Sequence, residues 1–342
     1  MTIEYGGKLP DFIELPQHRS STRGRRRIIF LIAFVLGIFV CGRIGLSYWV
    51  DLLWFRSLGY GEVFWKSVGL QIADFTVFAG TTFLILYGAF SAIRRSHEAD
   101  LPRAHAIVIA GQPISLSVQP ALRIISLCIS VVFACVTGLG LMANWPTLAL
   151  FWYAPHAMGG GVADPIFGKP LNFFLFTLPA WLLVDSWLLT LAVAICAVAV
   201  LFLIITSGAR SLAKRQITYG PSPWRGLSIT VAFLLLVLAM NVYVDRFQLL
   251  LEHHTIFDGI TYTDAHVTIH GLLIVCAALV LGAVISAYNA VRHSRGRWIV
   301  AAILPAVVCY GVLGIVGWYV GSFIVKPNEL VREEPFMPTT SR

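Results

Sequence analysis

Charge is what this sequence has least of. Asp, Glu, Lys and Arg make up 12% of its 342 residues, about half of the roughly 25% usual in a soluble globular domain. Hydrophobic residues make up 58%, more apolar surface than a water-soluble fold of this size would bury. Membrane helices are therefore the expectation. Paired cysteines are missing too. Cys41, Cys128, Cys135, Cys196, Cys276 and Cys309 all sit in apolar stretches without paired spacing, so neither a disulfide framework nor a thiolate metal site is indicated.

The motifs of soluble-enzyme chemistry are equally absent. The chain has no Gly-x-Ser-x-Gly, no His-Glu-x-x-His and no Gly-Lys-Ser/Thr phosphate loop. Gly138-Leu-Gly140-Leu-Met-Ala143 matches a dinucleotide fingerprint only formally, because it lies inside an apolar run with no preceding strand. Gly159-Gly160-Gly161 reads as a flexible loop. No cofactor is expected. The net charge of +8 is not the solvated basic face a nucleic acid needs, since its residues cluster beside apolar segments.

What is present is a series of long apolar runs. A polar tail over 1–27 contains Pro10 and Pro16 and ends in Arg23-Gly24-Arg25-Arg26-Arg27, as a disordered cytoplasmic segment would. Spans are expected over Ile28–Val50, Val68–Ile93, Leu122–Met142, Leu182–Ile205, Leu227–Val244, Val267–Ala290 and Ile299–Val320, each near the roughly 20 residues that cross a bilayer. The first is too long for a signal peptide and lacks a small-residue cleavage site. Phe167–Trp181 is apolar but interrupted by Lys169, Pro170, Asn172 and Pro179, and reads as an interfacial or re-entrant half-helix before the fourth span. The fold class is thus all-α integral membrane, a bundle of about seven helices over 28–322 with a short tail over 323–342.

Basic residues orient this bundle. The N-terminal tail and loops 94–121, 206–226 and 291–298 hold sixteen Lys and Arg, against seven on the opposite side, which predicts the N-terminus inside and the C-terminus outside. Aromatic residues flank the outer loops, as Tyr48, Trp49, Trp54, Phe55, Phe64 and Trp65 do around the first. Ten of the acidic residues also fall on the outer side. Two long loops, about 38 and 22 residues, make that side the elaborated one.

Two groups of residues are candidates for function. Arg43, Asp74 and Asp185 are ionisable residues inside spans, expected about 5–11 Å from the outer ends, where Asn241 and His270 would join them in one polar layer. Such a layer is either structural pairing or a solute or proton pathway. In the outer loops, His253, Asp258, Asp264, His266 and His270 bring nitrogen and oxygen ligands together, with Asp164 from the preceding loop. His266 and His270, one helical turn apart, suit two ligands of a metal ion, while the alternative has Asp264 capping a helix and both His bonded locally. Gly314, Gly317 and Gly321 are expected to let the last span approach a neighbour closely.

Four stretches resemble uncharacterised protein family 0182, a group of large bacterial membrane proteins. They are Trp49–Tyr60 running on to Val63-Phe-Trp-Lys66, Asp164–Lys169 with Phe173–Pro179, Tyr262–His266, and Val325–Leu330. His270 departs from the family pattern, which has a proline-containing continuation there. The resemblance implies a seven-helix membrane region in the bacterial plasma membrane, followed in the family by a large soluble domain outside it. This chain is expected to match the membrane region alone. Its expected partners are the lipid bilayer and an extracytoplasmic protein or separately encoded soluble domain. Three functional readings follow: a membrane anchor or assembly subunit presenting its outer loops to that partner, a transporter or channel component with a pathway near Arg43, Asp74 and Asp185, and a membrane-embedded metalloenzyme.

Overall fold

The computed structural model describes residues 22–97, 106–109, 112–115, 118–154, 163–213, 224–252, 259–292 and 295–328. Among them are seven helices long and apolar enough to cross a membrane, as the hydropathy pattern predicts. The chain separates into two compact units, Met1–Val68 and Gly69–Arg342.

The first unit contains α1 (Thr22–Ser57) and the opening turns of α2 (Gly61–His97). Between them the chain stops one helix and starts the next in three residues. Tyr60 donates its N–H to the Phe55 carbonyl and Gly59 to that of Arg56, at 2.9 and 3.1 Å, while Gly59 takes a φ of +83°. This is the Schellman arrangement, which satisfies the last carbonyls of a helix and needs a left-handed residue where Gly59 stands. The Phe55 ring then meets Phe64 across the turn, with centroids 6.0 Å apart.

In the second unit α2 continues and is followed by a short antiparallel ribbon, β1 (Ala106–Ile109) paired with β2 (Gln112–Ser115). Among the described residues the otherwise helical architecture thus carries one small hairpin that apolar periodicity does not announce. Next come α3 (Val118–Ala143), the short α4 (Trp145–Tyr153), α5 (Leu178–Ala213), α6 (Trp224–Gln248), α7 (Ile269–Arg292) and α8 (Gly296–Tyr319). The last four pack successively, α5 on α6, α6 on α7 and α7 on α8, as short connections between antiparallel helices dictate.

The expected half-helix over Phe167–Trp181 does not form a separate element. Phe173–Thr177 is a π-helical turn that runs directly into α5, with the Leu178 N–H bonded to the Phe173 carbonyl. The reason lies in Pro179. Its ring would collide with the carbonyl four residues back in a regular α-helix and it has no N–H to donate, so a widened turn lets the helix pass through it. The fourth span therefore starts at Phe173, nine residues earlier than hydropathy places it.

Helix approach is closest where a glycine faces a neighbouring helix. A Cβ at Gly282 of α7 would run into the backbone carbonyl of Ala302 in α8, one at Gly271 would meet Leu313, and one at Gly138 of α3 would meet Ala79 of α2 at 2.7 Å. Gly314 and Gly317 face open space, and Gly321 only just reaches Thr263. The close crossing of the last span thus rests on glycines of α7 and not on the expected trio.

The core is apolar along most of its length, built on Leu86, Leu191, Ala192, Leu235, Val275 and Ala302, all at most 4% exposed. One polar link ties α2 to α5: Trp187 Nε1 donates to Thr82 Oγ1 at 2.9 Å, with the Phe78 ring against the indole at 5.1 Å. Replacing Trp187 by Phe in a double-mutant cycle with Thr82→Val should give a coupling of about 1 kcal/mol in thermal unfolding in detergent. A coupling indistinguishable from zero would mean that the link contributes only packing.

Candidate functional site

The strongest polar feature in the apolar core is a carboxyl on α5. Asp185 is 1% exposed. Its Oδ2 accepts an N–H from Asn241 Nδ2 on α6 at 2.8 Å, and its Oδ1 is buried with no hydrogen-bond partner among the described residues. Because the fourth span starts at Phe173, Asp185 lies twelve residues from that start, about 18 Å along the axis at ~1.5 Å per residue. That is well inside the apolar helix Phe173–Ile204. The expected depth of one to two turns is corrected accordingly.

Of the expected polar layer, Asp185 and Asn241 are brought together. Asp74 is half-buried on α2 and shares no hydrogen bond with Asp185. The ring pairs Phe78–Trp187 and Phe90–Phe202 advance together, so α2 and α5 run the same way. Measured from the Thr82–Trp187 bond, Asp74 is eight residues up α2 and Asp185 two residues up α5, a difference in level of about 9 Å. Arg43 belongs to the first unit, on α1. His270 is exposed at the start of α7.

Asp245, which apolar run length alone places beyond the fifth span, stands on α6 near the pair. It follows Asn241 by one turn on the same face of α6, the face that meets Asp185. The i, i+4 spacing of Asn241 and Asp245 was the available signal, obscured because α6 runs past the expected limit at Val244. Arg246 turns the other way. Its guanidinium lies over Tyr243 at 4.0 Å, Phe247 at 4.6 Å and Phe167 at 5.9 Å.

The ligand-type residues of the loops are mostly engaged by the turns they build. Asp164 Oδ2 accepts the N–H groups of Ile166 at 3.1 Å and Phe167 at 2.6 Å, and its N–H meets the Lys169 carbonyl at 2.9 Å. Gly168, at φ +63°, donates to the Asp164 carbonyl at 2.8 Å. This Asx-type turn presses Phe167 onto Phe247 of α6, with centroids 4.8 Å apart. Beneath it a cavity of about 430 Å³ is lined chiefly by Leu171, Phe174, Leu250 and Leu251.

Asp264, expected either to cap the helix or to bind a metal, bonds two threonine hydroxyls, and the cap itself is Thr261. Thr261 Oγ1 donates to Asp264 Oδ2 at 2.6 Å and accepts the Asp264 N–H at 3.2 Å, a variant of the capping box, while Thr268 Oγ1 donates to Oδ1 at 2.9 Å. His266 places Nδ1 3.1 Å from the Tyr262 carbonyl and stacks on the Tyr262 ring at 4.3 Å. Among the described residues no group of three or more His, Cys, Asp or Glu is placed to hold a metal ion. His253 and Asp258 lie outside the described residues.

These turns share one end of the α5–α8 bundle. Asp264–Thr268 is a π-helical turn opening α7, and α8 ends in another, Val320–Val325, with Val325 buried. The π turn before α5 starts at the same end, and α8 packs against the one before α7. The sequence stretches that carry the family resemblance in this unit are therefore the turns that finish these helices. At the opposite end a buried network, unforeseen in sequence, holds α6, α7 and the start of α8. Asn289 Nδ2 donates to Ser228 Oγ at 2.8 Å and to the Arg295 carbonyl at 3.1 Å, its Oδ1 accepts the Arg295 N–H at 3.1 Å, and Ser286 donates to the Ser228 carbonyl at 2.8 Å.

Comparison with known proteins agrees with these motifs. Residues 28–340 match the family described as Uncharacterised protein family (UPF0182). A UPF0182 protein of Geobacter sp. (strain M21) is 28% identical over 323 residues, covering 92% of this chain and 34% of the relative. One from Cupriavidus necator is 29% identical over 334 residues, covering 93% and 34%, and one from Bradyrhizobium diazoefficiens 29% over 305 residues, covering 84% and 32%. The chain spans about a third of the length of these relatives. No solved structure matches it. With the family motifs and seven apolar helices in place, the chain belongs to uncharacterised protein family UPF0182.

Proposed function

We propose that the chain is an anchor in the bacterial plasma membrane, N-terminus inside and C-terminus outside, which presents the end where α5 and α7 start to an extracytoplasmic protein partner or soluble domain. The observation that carries this reading is the concentration of built turns at that end. The Asp164 turn, the Thr261–Asp264 cap and the π turns before α5 and α7 and after α8 rigidify it. A rigid presenting surface costs a partner less ordering entropy than a flexible one. The sixteen-to-seven distribution of Lys and Arg supports the orientation.

The reading has a direct test in intact cells. Cysteines placed at Ile166 and Gly259 should react with an impermeant maleimide from outside, and cysteines at Arg225 and Gly296 only after permeabilisation. Photo-crosslinking residues at the first two positions should then capture the same protein repeatedly, and those at the second two should not. The reverse labelling pattern would overturn the orientation, and crosslinks to lipid alone would overturn the anchor. A transporter or channel component is the second reading, favoured by Asp185 inside the span. Against a continuous pathway stand Trp187, Leu191, Ile195 and Phe202, which follow Asp185 along α5 as buried apolar side chains.

A further inference from the structure

We propose that Asp185 is a proton-binding site within the membrane, held neutral by a proton on Oδ1 that exchanges through Asp245 toward the end of the bundle where α6 stops. The inference stands on geometry and does not require either reading of function. A carboxylate 1% exposed inside the span has one amide hydrogen bond, from Asn241 to Oδ2 at 2.8 Å, and none at Oδ1. A single amide offsets only part of the cost of a bare charge in hydrocarbon. Protonation removes the charge.

The groups around Asp185 favour a proton over other occupants. Asn241 touches the carboxyl with an N–H, which repels a metal cation, and no cluster of three ligand side chains exists among the described residues. Among the described residues no counter-ion is placed to substitute for the proton either. On α6 the Arg246 guanidinium is given to the Tyr243 and Phe247 rings, and the other charge is Asp245, of the same sign. On α2 stands Asp74, also acidic and about two turns nearer the helix start than the Thr82–Trp187 bond. On α7 the Cys276 thiol donates to the Ala239 carbonyl at 3.3 Å.

Exchange is one-sided by construction. Asp245 is half-exposed, one turn beyond Asn241 toward the end of α6, and also accepts from Gln248 Nε2 at 3.1 Å. In the other direction α5 continues with Trp187, Leu191 and Ile195, all buried. The proton leaves Asp185 Oδ1 as the Asp245 carboxylate takes it up, and Asp245 then releases it to water, so charge and protons balance at each step.

Dicyclohexylcarbodiimide tests this, because it is apolar and adds to a carboxyl group only in its protonated form. The purified full chain in detergent should acquire one adduct that peptide mapping places at Asp185, with a rate that falls as pH rises, and Asp185→Asn should lose it. In Asp245→Asn, which also serves if Asp185→Asn fails to fold, the adduct should persist but its rate should fall off at a lower pH, since a neighbouring negative charge favours the protonated form. Absence of an adduct at Asp185, a rate independent of pH, or protection by sodium at fixed pH would each overturn the proposal. An unmoved pH midpoint in Asp245→Asn would remove the exchange route. None of these outcomes bears on the anchor reading, whose test is capture of a partner.

Discussion

Gly282→Ala should destabilise the bundle by about 2–3 kcal/mol, at the upper end of the usual cost of overpacking, although alanine is the better helix former. A Cβ at Gly282 would meet the backbone carbonyl oxygen of Ala302 and come within 3.3 Å of Leu235 Cδ1. A backbone group cannot change rotamer to make room, so α7 and α8 have to separate. Ala302 is fully buried, so that separation would open the packed core. The control is built into the same chain. Gly314→Ala and Gly317→Ala meet nothing within 4 Å and should be neutral or stabilising by up to about 1 kcal/mol. Thermal unfolding of the three variants in one detergent decides the matter, and equal effects would remove the close-crossing argument.

Asn289→Ala should cost a comparable amount, about 3 kcal/mol, for a different reason. Three hydrogen bonds disappear together, two of them with the backbone of Arg295 and one with Ser228 Oγ. Each is worth about 1 kcal/mol net, and Ser228 Oγ keeps its bond to the Trp224 carbonyl. The Arg295 groups belong to the N-cap of α8, so the loss falls on the connection that sets how α8 leaves α7. Ser228→Ala removes one of these contacts and the hydroxyl's bond to the Trp224 carbonyl, and should cost about 1 kcal/mol. Protease accessibility of the 293–296 connection in the folded protein should rise in Asn289→Ala and not in Ser228→Ala. If both variants unfold together with wild type, the network is dispensable.

Apolar run length reveals the seven helices because a bilayer-crossing segment must exceed a minimum length and exclude charge, and both properties are local. The turn after α1 carries its signal in Gly59, which takes the left-handed backbone that ends the helix. Helix limits are less legible. Pro179 looks like a helix breaker in one dimension, and only the wide turn at Phe173–Thr177 shows how a helix carries it. That misplacement put Asp185 too close to the helix start, and a second, the limit of α6 at Val244, left Asp245 outside its helix.

The sequence by itself determined that this chain enters a membrane, how many times it can cross, and the family to which it belongs, because hydrophobicity, charge bias and contiguous motifs are written along the chain. Tertiary structure decided which polar residues meet. Asp185 finds Asn241 fifty-six positions away and Asn289 finds Ser228 sixty-one away, while Asp74, expected in the same layer, is held at another level by the register of α2 on α5. Registers between helices are set by side-chain packing such as Gly282 against Ala302 and Trp187 against Thr82. Those contacts join positions far apart in the chain, and no local pattern encodes them.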